Sequence, residues 1–161
     1  MRILVAGIGN KLYGDDGFGP RVVEELTKFK LPPEVEVVDY GSSLTSVLLD
    51  LSEYDLVIFV DVVNRGGRAG ELYVIRPLAS NRREAEVGML SPHEMRLEKV
   101  LALAETLGVL PREVILVGCQ PGRLAEGLGM SEEVEKAVEK AVEIVLEIVR
   151  ERLRARRKNL A

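Results

Sequence analysis

The run Leu56-Val57-Ile58-Phe59-Val60 is the most apolar stretch of the sequence, and it ends at Asp61. A short and continuous apolar run is typical of a parallel strand that helices cover on both faces. We therefore expect this run to form a central strand of a parallel sheet, with Asp61 at its carboxyl end.

Strand and helix signals alternate on either side of this run. The other strand predictions cover residues 3–6, 35–38, 72–75 and 114–117. Helices are predicted to begin near Gly19, Leu44, Ser91 and Ser131. This alternation predicts an α/β fold of three layers, in which a twisted and mostly parallel five-stranded sheet carries helices on both faces.

Three details of the pattern are less regular. The strand at residues 72–75 follows the central run so closely that we expect a hairpin-like, antiparallel pairing between the two. Phe29 and Leu107 extend the apolar stripes of the first and third helices, so both side chains are expected to face inward. Residues 78–90 show no clear periodicity and are predicted to form a loop with frayed helix.

The length and composition predict one globular domain over residues 1–161, with 47% hydrophobic and 30% charged residues. The net charge of −4 disfavours a nucleic-acid partner, because such a partner normally meets a basic face. No apolar run reaches the roughly 18 residues of a membrane span, and the sequence opens on a strand pattern rather than a signal peptide. We therefore expect no membrane insertion and a cytoplasmic location.

The sequence contains one cysteine, Cys119, and one histidine, His93. This count excludes an intramolecular disulfide and a closed zinc site of the Cys/His type, and it suggests a reducing compartment. Without a second histidine to activate it, Cys119 is interpreted as a small buried residue rather than a nucleophile. Metal or acid–base chemistry would have to depend mainly on the 26 acidic residues.

The segment Gly7-Ile8-Gly9-Asn10 begins like a nucleotide-binding turn after the first strand. Leu12 occupies the position of the next glycine in the dinucleotide pattern, and the carboxylates of Asp15 and Asp16 would repel a pyrophosphate. Nucleotide binding is therefore disfavoured, and the glycines are interpreted as allowing a close approach of two backbone segments. Viewed alone, the Asp15-Asp16 pair fits a helix cap as well as a ligand.

Three side chains are candidates for a common site. The site of a parallel α/β fold lies beyond the carboxyl ends of the strands, which is where Asp61 and the loop carrying Asp16 are predicted, although Asp61 also fits a turn. His93 follows Ser91-Pro92 in a capping-box pattern, at a helix start whose dipole favours the neutral, metal-binding imidazole; its alternative is a surface histidine. Two carboxylates and one imidazole fit an exchangeable ligand, or a metal carried by a partner.

The chain resembles the hydrogenase maturation proteases over nearly its whole length. The resemblance rests on the opening residues 1–10, on Gly14-Asp15-Asp16-Gly17-Phe18-Gly19, on Asp61 and on Ser91-Pro92-His93. It implies a twisted sheet flanked by helices and an endopeptidase that removes a C-terminal extension from the large-subunit precursor of a nickel–iron hydrogenase. It also implies that Asp16, Asp61 and His93 bind nickel, which arrives with the precursor.

One segment departs from the family, and two other functions stay open. Asp39-Tyr40-Gly41-Ser42-Ser43 replaces the usual Asp-Gly-Gly-Thr type of sequence, which is linked to selectivity among hydrogenases. A phosphoacceptor, receiver-like signalling domain would need a lysine where Gly118-Cys119-Gln120 stands. A non-catalytic maturation chaperone that senses nickel would keep the three candidate ligands and lack cleavage.

Overall fold

The computed structural model describes residues 1–77, 92–127 and 129–161. Its sheet contains five strands, which are β1 (Ile3–Gly7), β2 (Val35–Asp39), β3 (Leu56–Val62), β4 (Leu72–Ile75) and β5 (Glu113–Cys119). Their spatial order is β2-β1-β3-β5-β4, and β4 is antiparallel to its neighbour while the other strands are parallel. The predicted α/β fold and the central position of β3 are confirmed.

Four helices of the described part of the chain cover the sheet. They are α1 (Phe18–Leu26), α2 (Leu44–Asp50), α3 (Pro92–Thr106) and α4 (Glu132–Leu160). The apolar side chains of α1 and α4 pack on one face of the sheet, and those of α2 and α3 pack on the other. Within the described ranges, we find no helix with the length and apolar character needed to cross a membrane.

The two-sided cover explains why β3 is apolar throughout. Leu56, Ile58 and Val60 face the α1/α4 layer, whereas Val57 and Phe59 face the α2/α3 layer. Successive side chains of a strand point to opposite faces, so both sets must be apolar when helices cover both faces. The same alternation turns the next side chain, that of Asp61, toward the layer that contains α3.

The partner predicted for β4 is wrong, although its antiparallel direction is right. β1 and β5 occupy the two edges of β3, so β4 pairs with β5 at the outer edge of the sheet. The connection passes the end of β5, where the Gly70 N–H donates to the carbonyl of Gln120 and the Gln120 N–H donates to the carbonyl of Glu71. These two bonds begin the antiparallel ladder.

Two side chains predicted to face inward are exposed. α1 ends at Leu26, and the chain leaves it through tighter turns, so Phe29 lies beyond the buried stripe. Leu107 follows the last residue of α3 and is also exposed. The loop predicted at residues 78–90 and the cap predicted at Ser91 lie outside the described residues.

Candidate metal centre

Asp61 lies at the carboxyl end of β3 and is only 6% exposed. Its Oδ1 accepts a hydrogen bond of 2.8 Å from the backbone N–H of Val62. Its Oδ2 lies 2.9 Å from Nδ1 of His93. One oxygen of this carboxylate is therefore fixed by the backbone, and the other is presented to the imidazole.

Asp16 is held in a similar way by a different part of the chain. It lies in a 3-10 turn, Gly14–Gly17, between β1 and α1, and its Oδ2 accepts a hydrogen bond of 2.8 Å from the backbone N–H of Asn10. Its Oδ1 is buried and has no hydrogen-bond partner among residues 1–77, 92–127 and 129–161. A buried carboxylate oxygen without a partner costs about 1–3 kcal/mol, so this oxygen is available as a ligand for a cation.

The loop that carries Asp16 depends on a close approach of backbone segments, as the glycine pattern predicts. Gly9 adopts a φ of +137°, and a Cβ at this residue would overlap the carbonyl oxygen of Asp16. A Cβ at Gly19 would overlap the carbonyl oxygens of Ile8 and Val60. These glycines let the loop and the start of α1 lie directly on the ends of β1 and β3.

His93 is the second residue of α3, and its ring lies between the two carboxylates with 20% of the side chain exposed. Nδ1 faces Asp61, while Nε2 lies 3.6 Å from Oδ1 of Asp16, beyond hydrogen-bond distance. Ligand atoms from the three residues all lie within 4.8 Å of one another. The structure thus brings together the three side chains that the sequence singles out, and their function as ligands stays a prediction.

The charges at this cluster differ from what the helix start alone suggests. Burial lowers the pKa of His93, but the hydrogen bond to Asp61 and the negative charges of Asp61 and Asp16 outweigh burial, so the pKa is raised. The carboxylates thus oppose the neutral imidazole that the helix start favours, and the expectation based on the helix dipole left them out. Burial raises the pKa of Asp61. A metal ion would have to displace the imidazole proton.

Asp15 has a different function from its neighbour. Its carboxylate is fully buried and accepts hydrogen bonds from the N–H groups of Gly122, Arg123 and Ser131 and from the Ser131 hydroxyl, at 2.6–2.8 Å. Although burial opposes ionisation, these donors lower the pKa of Asp15 below its ordinary value. Asp15 is neither a helix cap nor part of the cluster of Asp16, Asp61 and His93; it anchors the segment 122–131 to the loop that carries Asp16.

The serine that begins α4 is where the sequence predicts it, but its side chain does not cap the helix. Ser131 is the residue before the first turn, and its carbonyl accepts the first helical bond from Glu135. Its hydroxyl donates to Asp15 instead. This long-range bond has no signal in the local sequence.

A second group of polar residues at the same edge of the sheet was not predicted. Gln120 is buried, and its Oε1 accepts hydrogen bonds from the N–H groups of Arg65 at 2.8 Å and Gly67 at 3.2 Å. Arg65 in turn donates to Oε1 of Glu94 at 2.6 Å. The position of Gln120 after the last parallel strand is the one signal that could have indicated it.

Cys119 is buried and unpaired, as predicted. Burial, with a smaller contribution from the charge of Asp15, raises the pKa of its thiol to about 12. A thiol with this pKa is almost entirely protonated near neutral pH, so it is not an activated nucleophile.

The family model and the relatives described here all belong to one family of proteins. The family model described as hydrogenase maturation protease matches residues 20–148. The hydrogenase maturating endopeptidase HybD of E. coli has a solved structure with a TM-score of 0.80 and 33% identity, over 94% of this chain and 93% of that one. The hydrogenase 2 maturation peptidase of a Thaumarchaeota archaeon gives a TM-score of 0.72 and 44% identity, over 92% of this chain and 98% of that one.

A curated relative extends beyond the matched region. The hydrogenase expression/formation protein HupD of Bradyrhizobium diazoefficiens is 36% identical over 121 residues, which are 74% of this chain and 62% of HupD. The chain thus spans less than two thirds of that protein. These matches give no support to the receiver-like alternative. With the matched region covering most of the sequence and the fold shared with solved members, the chain belongs to the hydrogenase maturation protease family.

Proposed function

We propose that this chain is an endopeptidase that removes the C-terminal extension of a nickel–iron hydrogenase large-subunit precursor in the cytoplasm. We further propose that Asp16, Asp61 and His93 bind the nickel that this precursor carries. The observation that carries the proposal is the convergence of Asp16, Asp61 and His93, whose ligand atoms lie within 4.8 Å of one another. Among the described residues, the buried Oδ1 of Asp16 also has no hydrogen-bond partner.

The donor set fits such a metal. Imidazole nitrogen is a common ligand of nickel, and carboxylate oxygens add negative charge that a divalent cation needs when it is partly removed from water. Three ligands from the protein leave further coordination positions open. The precursor's own ligands can therefore stay on the metal while the enzyme binds it, which suits a metal that belongs to the substrate.

The chain's residues prepare the cluster for this task before the substrate arrives. The backbone N–H groups of Asn10 and Val62 each fix one oxygen of a ligand carboxylate, so the other oxygen is already directed inward. Second contacts of this kind orient metal ligands and raise their affinity. Bound nickel would supply a point of attachment and Lewis-acid polarisation of the scissile carbonyl. His93 would give up its ring proton when the metal binds.

A cleavage assay on the purified, nickel-loaded precursor tests the proposal. We expect Asp16→Asn, Asp61→Asn and His93→Ala each to lower the cleavage rate by about 100-fold or more, since changes even to residues behind metal ligands cost 10–100-fold. Glu139→Gln is the matched control, because Glu139 is an exposed carboxylate on α4, which packs on the face of the sheet opposite to α3. This variant should cleave at the wild-type rate.

A different result would overturn each part of the proposal: the site, the recognition of nickel and the cleavage activity. Wild-type rates for both His93→Ala and Asp16→Asn would refute the site. Equal cleavage of a nickel-free precursor would refute recognition of nickel. Tight binding of the loaded precursor without cleavage by the wild-type protein would favour the nickel-sensing chaperone.

A further inference from the structure

Two polar contacts connect the first turn of α3 to the end of β3 and the turn that follows it. His93 contacts Asp61, and the next residue of the helix, Glu94, accepts a hydrogen bond of 2.6 Å from Nη2 of Arg65. The side chain of Glu94 is only 4% exposed, whereas that of Arg65 is 40% exposed. A carboxylate that is this well buried is strongly stabilised by an arginine partner, because an unpaired buried charge is costly.

The backbone around Arg65 is itself fixed to the sheet. Gln120, directly after β5, accepts hydrogen bonds from the N–H groups of Arg65 and Gly67, and its Nε2 donates to Oδ1 of Asn64 at 2.9 Å. Gln120 is 5% exposed, so these bonds lie in a protected environment. The turn of residues 64–67 is therefore a defined platform for the guanidinium group of Arg65.

The placement of the two contacts relates Glu94 to the geometry of the metal cluster. β3 supplies Asp61, and the turn four residues later supplies Arg65. Asp61 contacts His93 and Arg65 contacts Glu94, and these two partners are adjacent residues of α3. Farther along, α3 packs on the sheet through the apolar side chains of Leu97, Leu101 and Ala104. Apolar packing fixes the rotation of a helix about its axis less specifically than a charge-assisted hydrogen bond does.

We propose that Arg65 and Glu94 form a positioning pair that sets the orientation of the His93 ring between Asp16 and Asp61, with Gln120 holding Arg65 in place. A small rotation of the first helical turn would move Nε2 of His93 away from Oδ1 of Asp16. Displacements of about 1 Å in such groups cost about 100-fold in rate. The catalytic consequence rests on the proposed function, whereas the orientation of the ring is a property of the protein alone.

The chain offers an unambiguous probe of this orientation, because His93 is its only histidine. The imidazole signals in an NMR spectrum of the whole protein therefore belong to one known ring. In Arg65→Met and in Glu94→Gln, we expect these signals to shift. We also expect the proton between Nδ1 of His93 and Oδ2 of Asp61 to exchange with water about tenfold faster or more, as local opening becomes easier. Arg65→Lys, which keeps a cationic donor, should restore part of the wild-type spectrum.

Arg76→Met is the matched control. Arg76 also pairs with a carboxylate, that of Glu113 at 2.8 Å, and within the described residues no hydrogen bond or ion pair joins this pair to α3. Its loss should leave the His93 signals and the cleavage rate unchanged. Thermal unfolding followed by circular dichroism identifies any variant that fails to fold, and the milder Glu94→Gln and Arg65→Lys then carry the test.

Cleavage of the nickel-loaded precursor supplies the second measurement. We expect Arg65→Met and Glu94→Gln to lower kcat by about 10–100-fold while KM changes little, because Glu94 is buried and the guanidinium group of Arg65 is bound to it. The slowing in the double variant should be smaller than the product of the two single effects, since both changes remove the Arg65–Glu94 contact.

The two proposals fail in different ways. If the His93 signals of folded Arg65→Met and Glu94→Gln coincide with those of the wild type, the positioning pair is refuted whatever the protein cleaves. If those signals shift as expected but the wild-type protein cleaves no nickel-loaded precursor, the proposed function is refuted and the positioning pair stands. Shifted signals together with an unchanged kcat would refute the catalytic importance of the ring orientation.

Discussion

The anchor formed by Asp15 predicts a large effect of a very small substitution, Asp15→Asn. The amide keeps the volume of the carboxylate but replaces one acceptor oxygen by a donor. In the wild type, Oδ1 accepts from the N–H of Ser131, and Oδ2 accepts from the N–H groups of Gly122 and Arg123 and from the Ser131 hydroxyl. The orientation that best suits the amide keeps the three bonds to Oδ2 and places its NH2 group against the Ser131 N–H.

The expected loss follows from these contacts. One buried N–H loses its acceptor, at about 1–3 kcal/mol, and three charge-assisted bonds become neutral bonds of roughly half the strength. Burying a neutral amide instead of a charge recovers part of this loss. We therefore expect the free energy of unfolding to fall by about 3 kcal/mol, a substantial fraction of the 5–15 kcal/mol that is typical of a domain.

The stabilising effect of the Asp15 carboxylate depends on pH. Because the folded state lowers the pKa of Asp15, its stabilising effect is fully present above the unfolded pKa of about 3.9 and is lost as the pH falls through the folded value. Asparagine does not titrate. The difference in unfolding free energy between wild type and Asp15→Asn should therefore be largest near neutral pH and should shrink below about pH 4.

Urea unfolding followed by far-ultraviolet circular dichroism measures these differences, and the sequence contains no tryptophan to follow instead. Asp39→Asn is the control, because its exposed carboxylate accepts one backbone hydrogen bond, from Gly41. We expect this control to stay within about 1 kcal/mol of the wild type. A loss below about 1 kcal/mol for Asp15→Asn, or a loss that is the same at pH 7 and pH 3, would refute the anchor.

Two further predictions concern the core beside the cluster. Gly19→Ala should lower the free energy of unfolding by about 3 kcal/mol, because its Cβ would overlap the carbonyl oxygens of Ile8 and Val60. Gly108→Ala is the control, because a Cβ there would meet no atom within 4 Å; it should lower the free energy of unfolding by about 1 kcal/mol through the positive φ of Gly108. Equal losses of unfolding free energy for Gly19→Ala and Gly108→Ala in urea would contradict the packing argument. Cys119 should resist a thiol reagent at pH 8 in the folded protein and react readily in denaturant, since burial raises its pKa to about 12; rapid labelling of the folded protein would contradict this.

The sequence was informative where a local pattern had one physical solution. The unbroken apolar run of β3 requires cover on both faces, and this requirement predicts the layers of the fold and the central place of the strand. The rule that sites lie beyond the carboxyl ends of parallel strands then brings Asp61 and the loop of Asp16 together. A helix start that carries the only histidine completes the set.

The sequence was uninformative where a decision depended on distant residues. The edge that β4 joins depends on which edges β1 and β5 have already occupied. The donors to Asp15 lie more than 100 residues away in the chain, as the separations of 107 to 116 residues show. The charge of His93 follows from neighbours that the helix pattern alone does not include. Each of these is a tertiary effect that a local sequence pattern does not contain.

Adjacent residues in the 3-10 turn have opposite electrostatic environments, and this contrast indicates how the cluster is built. Asp15 turns toward the segment 122–131, where four donors satisfy its carboxylate. Asp16 turns toward His93 and keeps one buried oxygen without a partner in the part of the chain that the structure describes. Because the anchor holds the turn in place, Asp16 cannot easily relax to satisfy that oxygen by itself.

A fixed turn with an unsatisfied oxygen is an energetic reason for the cluster to capture a cation. Within residues 1–77, 92–127 and 129–161, Oδ1 of Asp16 has no hydrogen-bond partner, at a cost of about 1–3 kcal/mol that a bound cation would relieve. That relief adds to the affinity for a metal-loaded partner, and it is absent for a partner without metal. Under the proposed function, the enzyme would thus distinguish the loaded from the unloaded precursor through the same oxygen that its own fold leaves unpaired.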